Sequence, residues 1–266
     1  MCESFLSAHL RPTLHLKTPR YPREMNEELF NQLRHRAQRN EAPAEILGAV
    51  ELEPGLVTRP SEEDGWTILF LKSASVAGRH AMQLGLGAAS LTKFCYKKLR
   101  WTCTAIELNP GVLHACRGWF KLPEDGPRMR VIIADAAFEI QSQEWLGTVD
   151  ILHVDLYDHE AAAPVLDNVA FYKNCRALLS DEGTMTVNLF GRTSSYEKSL
   201  AKMAEAFGED ALWAFKPTRE GNTVVMAQRV ASRPKRDQLL LQADAIENRF
   251  GLPATKWLKV FKPLLT

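Results

Sequence analysis

The sequence predicts an α/β protein whose main body is a doubly wound, mostly parallel sheet with a C-terminal antiparallel hairpin, preceded by a small N-terminal β/α module. Three observations carry that expectation. From His80 onward, short apolar runs alternate with glycine- or proline-marked turns and amphipathic helical stretches, the rhythm of parallel strands joined by helical crossovers. Polar residues recur at the C-terminal ends of these runs, the edge at which open α/β sheets bind ligands. The last two apolar runs are joined by too few residues for a crossover, so they pair antiparallel.

Taken in order, Ala81 to Leu86 (AMQLGL) is a buried strand that breaks at Gly85-Leu86-Gly87-Ala88-Ala89-Ser90. The helix after it places Leu91, Phe94, Cys95 and Leu99 on one face and Lys97, Lys98 and Arg100 in its last turn, where cations favour the helix dipole. Thr102 to Leu108 is the second strand, and Asn109-Pro110 supplies an N-cap followed by proline at the first helical position, starting a helix that runs to Phe120. Arg130 to Ala134 and Val149 to Asp155 are the third and fourth strands. A helix from about Val165 to Leu179, the turn Ser180-Asp181-Glu182-Gly183 and the strand Thr184 to Leu189 follow. Ser195 to Phe207 is helical with Gly208 beyond its end, and Leu212 to Phe215 and Thr223 to Gln228 form the hairpin around Pro217 and Gly221. The expected organisation is therefore a β/α module over 1–78, a ligand-binding α/β domain over 79–230, and a basic helical extension over 231–266.

The chain has 266 residues, 45% of them hydrophobic and 24% charged, with 33 Lys+Arg against 32 Asp+Glu, a formal charge of +1. That composition excludes whole-chain disorder and any global basic excess for nucleic-acid binding. No apolar run approaches the roughly 18 residues of a membrane-spanning helix, and the first twelve residues lack a secretory pattern. The five cysteines form no CxxC pair, so neither a disulfide framework nor a zinc cage is expected, and a reducing cytoplasm is the expected compartment.

Chemistry concentrates at the strand ends. Gly85 and Gly87 permit a tight turn and a close backbone approach to a ligand, although a glycine turn after a strand is also compatible with structure alone. Glu107 ends the second strand twenty residues after Gly87, the spacing at which an acid accepts ribose hydroxyls, and Asp135 ends the third strand within reach of an adenine amino group. The competing reading is that Glu107 and Asp135 cap the helices that follow them. The fourth strand delivers Asp155 into the stretch V-D-L-Y-D-H-E. There, Asp155 and Asp158 could hold an ammonium group and take its proton, Tyr157 could pack on a substrate, and Asp158 with Glu160 could equally be solvated loop acids. His153 and His159 flank them, but no further ligand cluster accompanies them and no metal is expected.

The stretch from Gln83 to Arg192 resembles the spermidine synthase family, within the class I, methyltransferase-like fold of S-adenosylmethionine-dependent transferases, through LGLGAASLTKF, AIELNP, LPEDGPRMRVIIADA, VDILHVDLYD and TMTVNLFG. The resemblance implies that Gly85 and Gly87 line the nucleoside, that Glu107 binds ribose and that Asp135 with Ala136 contacts adenine. It further implies that Asp155 is the catalytic aspartate and that Asp158 is the second acid of a D-x-x-D loop holding the amine. The implied reaction moves an aminopropyl group from decarboxylated S-adenosylmethionine to an amine such as putrescine, without a metal. The family's glycine motif, GGGDGG, departs here at Ala88, where an aspartate would contact the donor's amine. That departure keeps two alternatives open, a methyltransferase using intact S-adenosylmethionine on a small molecule and a non-catalytic nucleoside-binding relative.

Charge is divided along the chain. Asp150 to Asp167 holds five acids and no Lys or Arg, whereas Arg229 to Lys262 holds eight bases and three acids. The acidic stretch lies where a cationic amine substrate would bind. The extension also carries an amphipathic helix through Leu239, Leu240, Ala243, Ile246 and Phe250, expected to dock on the main domain or on a second subunit of a homodimer. An anionic partner such as nucleic acid is the sharper, less favoured reading of that tail. The expected partner is a small-molecule amine, not a membrane.

Overall fold

The computed structural model describes residues 79–156, 166–190, 193–217 and 222–264. The N-terminal module expected over 1–78 lies outside the described residues. Eight strands form one sheet in the order β3-β2-β1-β4-β5-β7-β6-β8. They are β1 (His80–Leu84), β2 (Thr102–Glu107), β3 (Met129–Ile133), β4 (Val149–Val154), β5 (Leu179–Phe190), β6 (Leu212–Phe215), β7 (Asn222–Gln228) and β8 (Phe261–Pro263). The first five are parallel, and β5, β7, β6 and β8 pair antiparallel in turn.

Because successive strand residues face opposite sides, each strand supplies two cores. Ala81, Cys103, Ala105, Val131 and Ile151 face one side, covered by α1 (Ser90–Phe94, continued by a π-helical turn over Cys95–Leu99) and α2 (Pro110–Gly118). Met82, Leu84, Ile106, Leu152 and Val187 face the other, covered by α3 (Ala136–Glu139), α4 (Val169–Leu178) and α5 (Thr193–Phe207). Helices on both faces of a parallel sheet make the architecture doubly wound, as the alternating pattern predicts.

Helix starts follow local chemistry. The Asn109 side chain accepts a hydrogen bond from the Gly111 N–H at 2.8 Å with Pro110 at the first helical position, and Asn168 accepts one from Phe171 N–H at 2.9 Å. Each cap satisfies an amide that has no partner inside its own helix.

Three features differ from the sequence reading. Ser180-Asp181-Glu182-Gly183 is not a turn before β5 but a bulge within it: β4 advances from Val149 to Ile151 while β5 advances from Leu179 to Thr184. Gly183 permits this, since a Cβ there would sit 2.8 Å from the Val149 carbonyl oxygen. The extension contains α6 (Arg236–Phe250) and α7 (Ala254–Trp257) but also the unanticipated strand β8, which extends the sheet beside β6. Leu239, Ala243 and Ile246 of α6 are buried against the main sheet's core, whereas Leu240, read as part of that apolar face, is exposed. Among the described residues, no helix is long and apolar enough to cross a membrane.

Candidate active site

The C-terminal ends of β1, β2 and β4 are level with one another. Leu84 is in register with Ile106 on one side and Val154 on the other, so Gly85, Glu107 and Asp155 emerge side by side. The Gly85 N–H donates to the Ile106 carbonyl at 2.9 Å, and the Asp155 N–H donates to the Leu84 carbonyl at 3.0 Å. The sheet ladder itself therefore carries the glycine turn to both acids.

The turn is held from below. Gly85 has φ +82°, Gly87 has φ +51°, and Ala89 at φ 56° closes the turn into α1. A side chain at position 85 would run into the Asp155 carbonyl oxygen, whereas the space around position 87 is open. Gln83, buried within β1, accepts hydrogen bonds at its amide oxygen from the Thr92 N–H at 3.2 Å and from the Thr92 hydroxyl, and its amide nitrogen donates to the Gly85 carbonyl at 2.8 Å. One side chain thus ties the start of the turn to the helix behind it. Sequence reasoning missed Gln83, and the signal was available: a polar residue inside an otherwise apolar strand requires a buried partner.

Glu107 is buried and bridges two elements, with Oε2 accepting from the Leu86 N–H at 2.9 Å and Oε1 from the Asn109 N–H at 2.8 Å. Each carboxylate oxygen retains a further lone pair, so capping does not exhaust its acceptor capacity. Glu107→Gln places an amide NH2 against one of these N–H donors. It is expected to destabilise the fold by about 1 to 3 kcal/mol, read as a lower urea midpoint; an unchanged midpoint would show that the bridge carries no weight. Asp135 caps α3 by accepting from the Ala137 N–H at 2.8 Å with Oδ1, while the residue remains exposed beside buried Ala136. Capping and a free second oxygen coexist at this position.

Asp155 has exposed surface where the chain leaves β4, and Asn188 of β5 donates to its Oδ1 at 3.2 Å. Protein packed around the carboxylate pushes its pKa upward, opposed by the Asn188 hydrogen bond and by His153. Asn188 was not singled out from sequence, because a polar residue late in a strand has no motif of its own. His153 is buried in the sheet, with Nδ1 2.9 Å from the Thr186 hydroxyl, and no group of three metal-ligating side chains occurs among the described residues. Tyr157, Asp158, His159 and Glu160 lie outside the described residues. Where the chain resumes, Asp167 accepts hydrogen bonds from the Tyr172 hydroxyl at 2.8 Å, the Ser199 hydroxyl at 2.9 Å and Lys202 Nζ at 2.6 Å, joining the segment to α4 and α5.

Beneath the turn, the Cys116 thiol donates to the Gly87 carbonyl at 3.1 Å. Burial pushes its pKa up to about 12, against the pull of Lys93, whose own ammonium is lowered by burial and donates to the Phe120 carbonyl at 2.8 Å. The thiol is thus neutral at ordinary pH, and the thiolate is the nucleophile. In the native protein, Cys116 is expected to resist iodoacetamide at pH 8, read by peptide mass mapping; rapid native alkylation would contradict this environment.

The sheet order and the helices on both of its faces make a class I methyltransferase-like fold. Human methyltransferase-like protein 13, solved in complex with S-adenosylhomocysteine (SAH), shares that fold at a TM-score of 0.62 and 22% identity, over 71% of this chain and 90% of that one. A probable spermidine synthase from Corynebacterium glutamicum superposes at a TM-score of 0.57 and 20% identity, over 71% of each chain. The polyamine aminopropyltransferases of Neisseria meningitidis and Chromobacterium violaceum are 30% identical over 178 residues and 29% identical over 176 residues. In sequence the chain is similar to the spermidine synthase family. The matches span 65% of this chain and 66% of those relatives, just under two thirds of their length. No family model matches the chain.

Proposed function

We propose that the chain transfers an aminopropyl group from decarboxylated S-adenosylmethionine to a small amine such as putrescine. The observation that carries this reading is the placement of Asp155 level with the Gly85 turn and Glu107, within the stretch Asp150 to Asp167 that bears five acids and no Lys or Arg. The names of the polyamine aminopropyltransferases it resembles point the same way.

The residues present fit a nucleoside. Gly87 leaves open space at the turn, Glu107 keeps acceptor capacity for ribose hydroxyls, and Asp135 with Ala136 offers an exposed oxygen beside a small apolar residue for the base. A bound sulfonium donor supplies an electrophilic carbon, whose bond to sulfur breaks as the amine nitrogen bonds to it and the thioether leaves. Asp155 takes the proton that the attacking nitrogen gives up, and its upward-shifted pKa makes it a better acceptor than an ordinary carboxylate. Asn188 fixes Oδ1, leaving Oδ2 for the amine. Asp158 and Tyr157 supply the other contacts to that cation in this reading. The buried thiols Cys116 and Cys175 favour a reducing cytoplasm.

Purified protein given decarboxylated S-adenosylmethionine and putrescine is expected to release methylthioadenosine. Release no greater than that of a heat-killed control, over a panel of diamines and polyamines, would overturn the proposal. A second reading, methyl transfer from intact S-adenosylmethionine, is favoured by Ala88, which leaves no carboxylate at that position for the donor's amine.

A further inference from the structure

The edge of the sheet farthest from these acids holds a second cleft, of about 460 Å³, between β6, the start of α6 and the α7–β8 connection. Trp213, Leu239 and Phe261 form its apolar floor, and Arg236, Lys259 and Lys262 stand at its rim. None of the described lining residues is acidic. The floor is built from ring contacts: the Trp213 and Phe261 rings stack at 5.2 Å with a 19° interplanar angle, and the Arg233 guanidinium lies 5.0 Å from the Trp213 ring centroid. The three rim cations are exposed, and none forms an ion pair among the described residues. Elsewhere on the described surface, Arg117, Arg130 and Lys173 each meet a carboxylate.

Three like charges around one apolar hollow repel one another, and a multivalent anion relieves that repulsion. The volume falls within the range of pockets that enclose small molecules. An apolar floor beneath a cationic rim suits a ligand with a compact apolar or ring-bearing body and several negative oxygens. We propose that this cleft binds a phosphate-bearing small molecule of nucleotide size, with its phosphates on Arg236, Lys259 and Lys262 and its body over Leu239 and the Trp213–Phe261 stack. The site is distinct from the nucleoside turn. Four strand spacings separate β8 from β4, roughly 19 Å across the sheet. The proposal also gives a role to the net positive tail, which the transfer chemistry does not use.

Uridine triphosphate is a suitable probe because it lacks the adenine of the catalytic pocket's expected ligand. By calorimetry, the full chain is expected to bind one equivalent saturably, with the same affinity in the presence of saturating SAH. The double variant Lys259→Glu/Lys262→Glu is expected to weaken binding by about tenfold or more, with Lys259→Gln/Lys262→Gln falling between the two and all three proteins giving the same circular dichroism spectrum. Inorganic tripolyphosphate, having no body, is expected to bind more weakly than the nucleotide. Absence of saturation into the millimolar range, equal affinity in the charge-reversed variant, or displacement by SAH would overturn the assignment. Tripolyphosphate binding as tight as the nucleotide would also overturn it, as would an affinity for single-stranded oligouridylate that grows with length, the latter in favour of a nucleic-acid backbone.

Discussion

Asp155→Asn is expected to lower the rate of amine transfer by about 100- to 10,000-fold, the usual contribution of a positioned general base, while leaving nucleoside affinity within a factor of about two. The substitution keeps shape while removing the negative charge and, with it, the capacity to accept a proton. Asn188 donates to Oδ1, and the new amide can present its own oxygen to that donor, so the local hydrogen bond survives. The Asp155 N–H bond to the Leu84 carbonyl belongs to the backbone and is untouched. Single-turnover kinetics with decarboxylated S-adenosylmethionine and putrescine, paired with calorimetric binding of methylthioadenosine, separate the two effects. Full activity in the variant would remove Asp155 from the chemistry. Equal loss of binding and rate would make it a structural residue.

Gly85→Ala is expected to be the most damaging small substitution in the turn. At φ +82° an L-residue pays for the left-handed backbone, and the added methyl meets the Asp155 carbonyl oxygen, a backbone atom that cannot rotate away. The two effects together are expected to destabilise the fold by about 2 to 5 kcal/mol. Relief of the clash would require the start of the Asp155 segment to move, so transfer activity is expected to fall as well. Gly87→Ala provides the contrast: its φ is +51°, the space beside it is open, and Ala89 two residues later already adopts φ 56°. That variant is expected to lose only about 1 kcal/mol, and its effect should appear in nucleoside affinity instead. Matching urea midpoints for the two variants would contradict the close approach of β1 and β4 at this point.

The residues of this site were visible in the sequence to different degrees, for physical reasons. Gly85, Glu107 and Asp155 stand where a strand's period gives way to a turn, and such switches mark the ligand edge of an open sheet. Asn109-Pro110 announces its helix because capping is a local interaction, whereas sequence reasoning missed the Asn168 cap and the helix expected from about Val165 starts at Val169. Asn188 and Cys116 act through partners in distant elements, and only the three-dimensional pairing of β4 with β5 and of α2 with the glycine turn gives them meaning, whereas Gln83 is marked in the sequence as a polar residue in an apolar strand but its partner in α1 is not. The bulge in β5 looked like a turn because Ser180-Asp181-Glu182-Gly183 has turn chemistry, and tertiary pairing with β4 overrides it. β8 is three residues long and ends in proline, too short for alternation to register; pairing with β6 alone defines it.

The proposed aminopropyl transfer and the methyl-transfer alternative differ in which bond to sulfur breaks. One reaction mixture containing equal concentrations of decarboxylated and intact S-adenosylmethionine, with putrescine as acceptor, resolves it by mass spectrometry of both the nucleoside and the amine. The expected result is methylthioadenosine together with putrescine heavier by one aminopropyl group, both lost in Asp155→Asn. Release of SAH with a methylated product, and no methylthioadenosine, would contradict it.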